Sequence, residues 1–171
     1  MFKSLKLVLL SGILLCQLLF ASLVSGNIEV FFSRAEGHHP DQKIISLINE
    51  AQQELNIAIY GLTKPDIVQA IVSANQRGVK VRVVADRVQA AGRSSLVDYL
   101  KKQNIPLKKN KHNGAMHHKV CIIDGKTVIS GSFNWSNNAT YNNDENMLVI
   151  YSPEMAREFN TEFERLWVVS N

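Results

Sequence analysis

The segment 116–146, MHHKVCIIDGKTVISGSFNWSNNATYNNDEN, contains most of the residues in this chain that could act on a charged ester. His117 and Lys119 are two positions apart, so in a β-strand both side chains project from the same face. A neutral imidazole can attack phosphorus to form a covalent phosphohistidine, and an ammonium group can neutralise and orient the phosphate. The Glu145 carboxylate could reach across to His117, fix its tautomer and steady the developing charge. The pattern predicts a phosphodiester site that needs neither a metal ion nor a cofactor.

Further residues of this segment offer hydrogen-bond donors or a turn. Ser132 and Asn134 follow a predicted strand, where a hydroxyl and an amide can lie near the same face. Asp124 stands before a glycine between two apolar runs, which is a strong hairpin signal. A turn role and a direct catalytic role are both open for Asp124. His118 should point away from the side of the strand that carries Lys119, and we expect it to be structural.

Strand-like and helix-like segments alternate on both sides of this motif. The patterns predict strands at 28–32, 56–60, 79–85, 117–124, 127–131 and 146–151, and helices at 41–55, 64–77, 94–103 and 153–167. Such alternation is typical of an α/β domain in which helices cover a mixed sheet on both faces. Tyr60 ends one of the predicted strands, where it either flanks the substrate or packs in the core.

The first 26 residues differ from the remainder. Lys3 and Lys6 precede an apolar run at 7–24, and small or compact residues at 24–26 offer a cleavage point. This order predicts a secretory signal peptide, and hence an exported protein, periplasmic in a bacterium. A membrane anchor formed by residues 7–24 is the alternative. The domain proper is predicted to be 27–171.

Charge and cysteine content leave the partners largely open. The chain has 19 Lys and Arg against 15 Asp and Glu; residues 1–26 hold two of the lysines and no acid, so the remainder carries a net charge of +2. A cluster that could attract phosphates precedes the motif: Lys101, Lys102, Lys108, Lys109, Lys111 and His112. Cys121 is the single cysteine after residue 26, so an internal disulfide is excluded there.

The spacing HxK, four residues, D, six residues, GS resembles the signature of the phospholipase D superfamily. The matching positions are His117, Lys119, Asp124, Gly131 and Ser132, and Asn134 follows as in the GSxN form of the motif. The similarity extends over about residues 28–168 and includes NIAIYGLTKPDIVQAIVSANQRGVKVRVVAD, which is similar to the short bacterial endonucleases of the superfamily. Five matching positions at set spacing make the motif specific, whereas HxK alone would carry little meaning.

This resemblance implies roles for the site residues. His117 would be the nucleophile, Lys119 the phosphate binder, and Glu145 the residue that orients His117. Ser132 and Asn134 would assist phosphate binding. Asp124 would support the motif and carry no proton.

The superfamily uses two such motifs per active site, and this chain has one. Relatives of this size pair as symmetric homodimers, so the resemblance implies a second His117 from a partner chain. One imidazole would attack, and the other would protonate the leaving oxygen.

Three functions remain open at this point. The first is a metal-independent, non-specific endonuclease acting on DNA, RNA or both. The second is a lipid phosphodiesterase acting on phosphatidyl head groups or cardiolipin, which membrane association would favour. The third, a non-catalytic nucleic-acid-binding protein, is disfavoured because the whole set of motif residues is present.

Overall fold

A computed structural model describes residues 27–171, and the predicted export segment or anchor at 1–26 lies outside the described residues. Within 27–171 the chain forms seven strands: β1 Asn27–Phe32, β2 Glu54–Ile59, β3 Lys80–Ala85, β4 Leu107–Lys109, β5 Lys119–Ile123, β6 Thr127–Gly131 and β7 Asn146–Tyr151. The same range forms six helices: α1 Pro40–Glu50, α2 Pro65–Gln76, α3 Arg87–Ala90, α4 Val97–Lys102, α5 Asn137–Tyr141 and α6 Pro153–Val169. Helices α1, α2 and α6 each begin with proline, whose fixed φ suits the first helical turn.

The seven strands form one mixed sheet in the order β1-β7-β6-β5-β2-β3-β4. Strands β2, β3 and β4 are parallel to one another, and every other neighbouring pair is antiparallel. Residues 124–126 join β5 to β6, and Asp124 and Gly125 have φ values of 51° and 61°, the left-handed pair that a tight hairpin turn requires. The predicted hairpin is therefore confirmed.

Helices cover both faces of this sheet, as predicted. On one face α1 and α2 pack against the central strands; Ile44, Ile48 and Ile71 are fully buried there. On the other face a single long helix, α6, buries Phe163 and Leu166 against β2, β3, β5 and β6. Side chains that alternate along each strand supply both cores, which is why the central strands are apolar at almost every position.

Some predicted boundaries were wrong. The first helix was expected to continue to residue 55, but it ends at Glu50, because the Asp124 carboxylate draws the Gln52 and Glu54 backbone N–H groups into the start of β2. The strand expected at 117–124 begins at Lys119. The helix expected at 94–103 is limited to α4, and the short elements α3, β4 and α5 were not predicted.

Candidate active site

Several strands end or begin at one edge of the sheet, which we call the site edge. Strand β2 ends with Ile59, which lies beside Lys119 at the start of the antiparallel strand β5. Strand β6 ends with Gly131 beside Met147 near the start of β7. Strands β3 and β4 also end there, because both are parallel to β2. Strand β1 ends there as well, because it is antiparallel to β7, which starts at this edge. The loops that follow these strands therefore surround a common area.

An open cleft of about 540 Å³ lies at the site edge. It is lined by His117, Lys119, Gly131, Ser132, Asn134, Glu145 and Asn146. Of the residues in segment 116–146 that were proposed as catalytic or phosphate-binding groups, all except Asp124 line this cleft.

His117 and Lys119 are in direct contact in this cleft. The Lys119 ammonium lies 3.1 Å from both ring nitrogens of His117 and donates a hydrogen bond of 2.9 Å to the His117 carbonyl. Equal distances to the two nitrogens place the ammonium against the ring and not along the lone pair of one nitrogen. The imidazole is exposed, so its in-plane nitrogens remain accessible to a phosphodiester.

Lys119 is an ionisable residue that is largely buried, with 5% of the residue exposed. Burial lowers the pKa of the Lys119 ammonium below its usual value, and the negative charge of Glu145 partly offsets this effect. A partly desolvated cation interacts more strongly with a phosphate than a hydrated one.

The wall opposite Lys119 is built by close packing of β6 on β7. Gly131 has a φ of 142°, and an added Cβ would collide with the Asn146 carbonyl, so glycine is required at this position. The Ser132 hydroxyl donates to the Glu145 carboxylate at 2.5 Å and accepts from the Asn146 N–H at 3.0 Å. The strand ends are thereby tied together beside the cleft.

Asn134 stands between two buried aromatic residues, Phe133 and Trp135. Its Oδ1 is buried without a hydrogen-bond partner among the described residues. Gly61 leaves the space for it, since a Cβ there would lie 3.1 Å from Oδ1. The packing of these neighbours holds the amide at the cleft.

A turn role and a direct catalytic role were both open for Asp124, and the resemblance implied that it supports the motif. Asp124 was a candidate catalytic residue, but it follows the far end of β5, five residues and roughly 16 Å from Lys119. Its carboxylate instead accepts the N–H groups of Gln52, Gln53 and Glu54. Asp124 is therefore a structural residue of the hairpin.

Glu145 was expected to orient His117, but no hydrogen bond joins the two in the described chain. The carboxylate of Glu145 is occupied by Ser132 and by the Asn143 amide, the latter at 2.8 Å. Glu145 lies one residue before β7, where the turn directs it to these partners. Its negative charge raises the pKa of the Lys119 ammonium against the effect of burial.

The predicted lysine cluster does not form a single surface. Lys108 donates to the Trp167 carbonyl at 2.7 Å and lies over the Trp167 ring, and Lys109 pairs with Asp98 at 3.0 Å. Lys111 stays exposed in the loop that follows β4 at the site edge.

Tyr60, for which the sequence left open a place beside the substrate or in the core, contacts His117. Its ring centroid lies 4.3 Å from that of His117, and the Lys119 ammonium lies 4.7 Å above the same ring. Its position at the end of a predicted strand was the available signal, but that position does not say which residue it faces.

Residues 27–171 contain neither a metal-binding cluster nor a membrane-spanning helix. No three His, Cys, Asp or Glu side chains of this range converge where they could hold a metal ion. No helix in this range is long and apolar enough to cross a bilayer.

This fold and this cleft are those of a phospholipase D-type domain. A family model described as "Cardiolipin synthase, PLD-like domain" matches residues 44–167. The chain belongs to this family, within the phospholipase D superfamily, which confirms the resemblance drawn from the motif.

Solved structures agree with this assignment. Nuc from Salmonella typhimurium, a phospholipase D family member, superposes with a TM-score of 0.80 at 33% identity over 86% of this chain and 97% of that one. NucT from Helicobacter pylori gives a TM-score of 0.78 at 31% identity over 85% and 98% of the two chains.

Curated relatives include lipid-acting enzymes. The mitochondrial cardiolipin hydrolase of Homo sapiens is 35% identical over 125 residues, which are 73% of this chain and 50% of that protein. A phospholipase D of Rickettsia conorii is 35% identical over 116 residues, 68% of this chain and 58% of that protein. The chain thus spans between half and three-fifths of the length of these relatives.

Proposed function

We propose that this phosphodiesterase is a metal-independent, non-specific nuclease whose active site is shared by two copies of the chain. The observation that carries the substrate assignment is an open polar cleft at a site edge with exposed cations. Arg87 and Arg93 follow β3 and Lys111 follows β4, and none of the three forms a salt bridge with another described residue. Such cations attract a polyphosphate backbone without reading bases.

The reaction can be followed atom by atom. A ring nitrogen of neutral His117 attacks phosphorus, and the bond from phosphorus to the leaving oxygen breaks. A second, protonated imidazole gives its proton to the leaving oxygen. That imidazole, now neutral, takes a proton from water as the water attacks the phosphohistidine, which releases the phosphate monoester and restores both histidines. Lys119 neutralises the phosphate oxygens throughout.

The need for a second imidazole supports the homodimer. Among the residues that line the cleft, His117 is the single histidine. The cleft is open to solvent at the site edge, and a two-fold axis near it would bring in a second His117. When wild-type and His117→Ala chains exchange freely in equal amounts, about one quarter of full activity should remain, because only wild-type pairs have both histidines. Half of full activity would argue for independent sites.

The test of substrate compares cleavage of plasmid and single-stranded DNA in excess EDTA by the wild type, His117→Ala and His118→Ala. His118 is a matched control, since it is adjacent in sequence but contacts Glu162 of α6 at 3.5 Å and not the cleft. We expect the wild type and His118→Ala to cut and His117→Ala to be inactive. Cleavage should fall with rising salt, and more steeply in the wild type than in an Arg87→Ala/Arg93→Ala/Lys111→Ala variant.

A lipid phosphodiesterase is the second candidate. A largely apolar cavity of about 200 Å³ lies between α6 and the sheet, bordered by His118 and lined by Val120, Phe159 and Phe163. This cavity could take part of an acyl chain, and relatives named cardiolipin hydrolases share a third of their aligned residues with this chain. Release of phosphatidic acid from cardiolipin vesicles, with no DNA cleavage by the same preparation, would select this alternative.

A further inference from the structure

Tyr60 is placed beside the nucleophile by its backbone as well as by its ring. It follows β2 directly, and its N–H donates to the His118 carbonyl at 2.7 Å. Its ring packs against the His117 imidazole at 4.3 Å between centroids, with the two planes inclined by 59°. The backbone bond therefore fixes the ring next to the chain segment that carries His117.

The surroundings of Tyr60 are those of a site residue and not of a core residue. It is partly exposed and belongs to neither of the two hydrophobic clusters. Its ring contacts an imidazole and an ammonium, both polar groups that line the cleft. Packing in the core, the other role that the sequence allowed for Tyr60, does not describe these contacts.

In residues 27–171 no carboxylate forms a hydrogen bond with the His117 ring. The described contacts of its imidazole are the Tyr60 ring and the Lys119 ammonium. Glu145 makes no hydrogen bond to this ring in the described chain; its carboxylate accepts from Ser132 and Asn143. An exposed side chain samples several rotamers, whereas attack on phosphorus requires one near-attack geometry.

We propose that Tyr60 is a positioning residue, whose ring confines the His117 imidazole and supports the Lys119 ammonium for attack on the phosphodiester. The ring face attracts the ammonium at 4.7 Å without taking up its N–H donors. One of these donors binds the His117 carbonyl, which leaves the others for the phosphate. This inference rests on the proposed role of His117 as nucleophile, but not on whether the substrate is nucleic acid or lipid.

Tyr60 is in turn held by a hydrogen-bonded support that includes α3. The Gln89 side chain donates to the Tyr60 hydroxyl at 3.1 Å. Asp86, 1% exposed, accepts the Gln89 N–H through one carboxylate oxygen and the Met116 N–H through the other, at 2.9 and 3.0 Å. One buried carboxylate thus links the residue that holds Tyr60 to the segment that leads into His117.

The test uses bis(p-nitrophenyl) phosphate, a phosphodiester that is neither nucleic acid nor lipid, with the variants Tyr60→Leu and Tyr60→Phe. Tyr99→Leu is the matched control, since Tyr99 is an exposed tyrosine on α4. We expect Tyr60→Leu to lower kcat on the order of 100-fold with a much smaller change in KM, because a nucleophile displaced by about 1 Å loses that much rate. Tyr60→Phe, which keeps the ring, should restore most of kcat, and Tyr99→Leu should match the wild type.

Wild-type kcat in Tyr60→Leu, or an equal loss in Tyr60→Phe, would overturn the proposal. Proton NMR of the His117 ring tests the proposal even if a variant misfolds or the wild type is inactive. The ring signals of His117 are those that are missing from the spectrum of His117→Ala. We expect ring-current shifts in the wild type and in Tyr60→Phe, and ordinary histidine shifts in the wild type would overturn the proposal. Hydrolysis of the synthetic diester without cleavage of DNA would refute the nuclease assignment while leaving Tyr60 tested.

Discussion

Replacing Asp124 with asparagine should lower stability while leaving the chemistry intact. The carboxylate is 3% exposed and accepts the N–H groups of Gln52, Gln53 and Glu54 at 2.8–3.1 Å. Asparagine keeps the shape and tolerates the local φ of 51°, but it turns one acceptor oxygen into a donor and removes the charge. One N–H without an acceptor and two weakened bonds together cost about 2–4 kcal/mol. In a domain of this size the loss lowers Tm by roughly 5–15 °C.

The pH dependence of this effect has a definite sign. Burial raises the pKa of Asp124, but the three backbone N–H groups outweigh it and hold the pKa below its usual value. A lowered folded-state pKa means that the stabilisation is present above the unfolded-state pKa and is lost as the pH falls through the lowered value. The difference in stability between the wild type and Asp124→Asn should therefore be large at neutral pH and shrink in acid.

The assay is thermal unfolding from neutral to acid pH, together with kcat for a synthetic phosphodiester at a temperature where both proteins are folded. Asp144→Asn is the matched control, because Asp144 is 88% exposed and its pair with Arg34 is long and solvated. We expect the control to unfold like the wild type. Unchanged stability in Asp124→Asn with a 100-fold loss of kcat would refute the structural role and return Asp124 to the reaction.

Two further perturbations test the cleft. The Glu145 charge raises the pKa of Lys119 against the effect of burial, and Glu145→Gln removes it. The alkaline limb of the pH profile of kcat/KM should therefore move to lower pH. A limb that stays in place would contradict the coupling of Glu145 to Lys119. Gly131→Ala should prevent correct closure of β6 on β7, because its Cβ would meet the Asn146 carbonyl at a φ of 142°. Gly114→Ala, whose Cβ would make only ordinary contacts, should fold and unfold like the wild type, and equal Tm values for the two alanine variants would contradict the steric argument.

Much of the fold was accessible from local patterns. Apolar, β-branched runs located the central strands, prolines marked the starts of α1, α2 and α6, and Asp124-Gly125 marked the hairpin. The helices α3 and α5 and the strand β4 were missed because each helix has less than two turns of pattern and the strand less than two pleats. The end of α1 was missed because a carboxylate over seventy residues away in sequence sets it.

The sequence alone determined which residues could carry the chemistry. The spacing of His117 and Lys119 places both on one face of a strand, and the spacing to Ser132 places a hydroxyl after the returning strand. Such inferences hold because the period of a strand and the geometry of a hairpin are local properties of the backbone. The same local rules do not say which side chains from other strands will meet these residues.

Only the tertiary structure determined which side chains contact these residues. The register of β2 against β5 brings Tyr60 to His117, the length of β5 removes Asp124 from the cleft, and the turn before β7 gives Glu145 to Ser132. Each result depends on pairing between segments distant in the chain, where a shift of one residue would exchange the two faces of a strand. The candidate reacting groups could therefore be proposed from sequence, whereas the side chains that contact them could not.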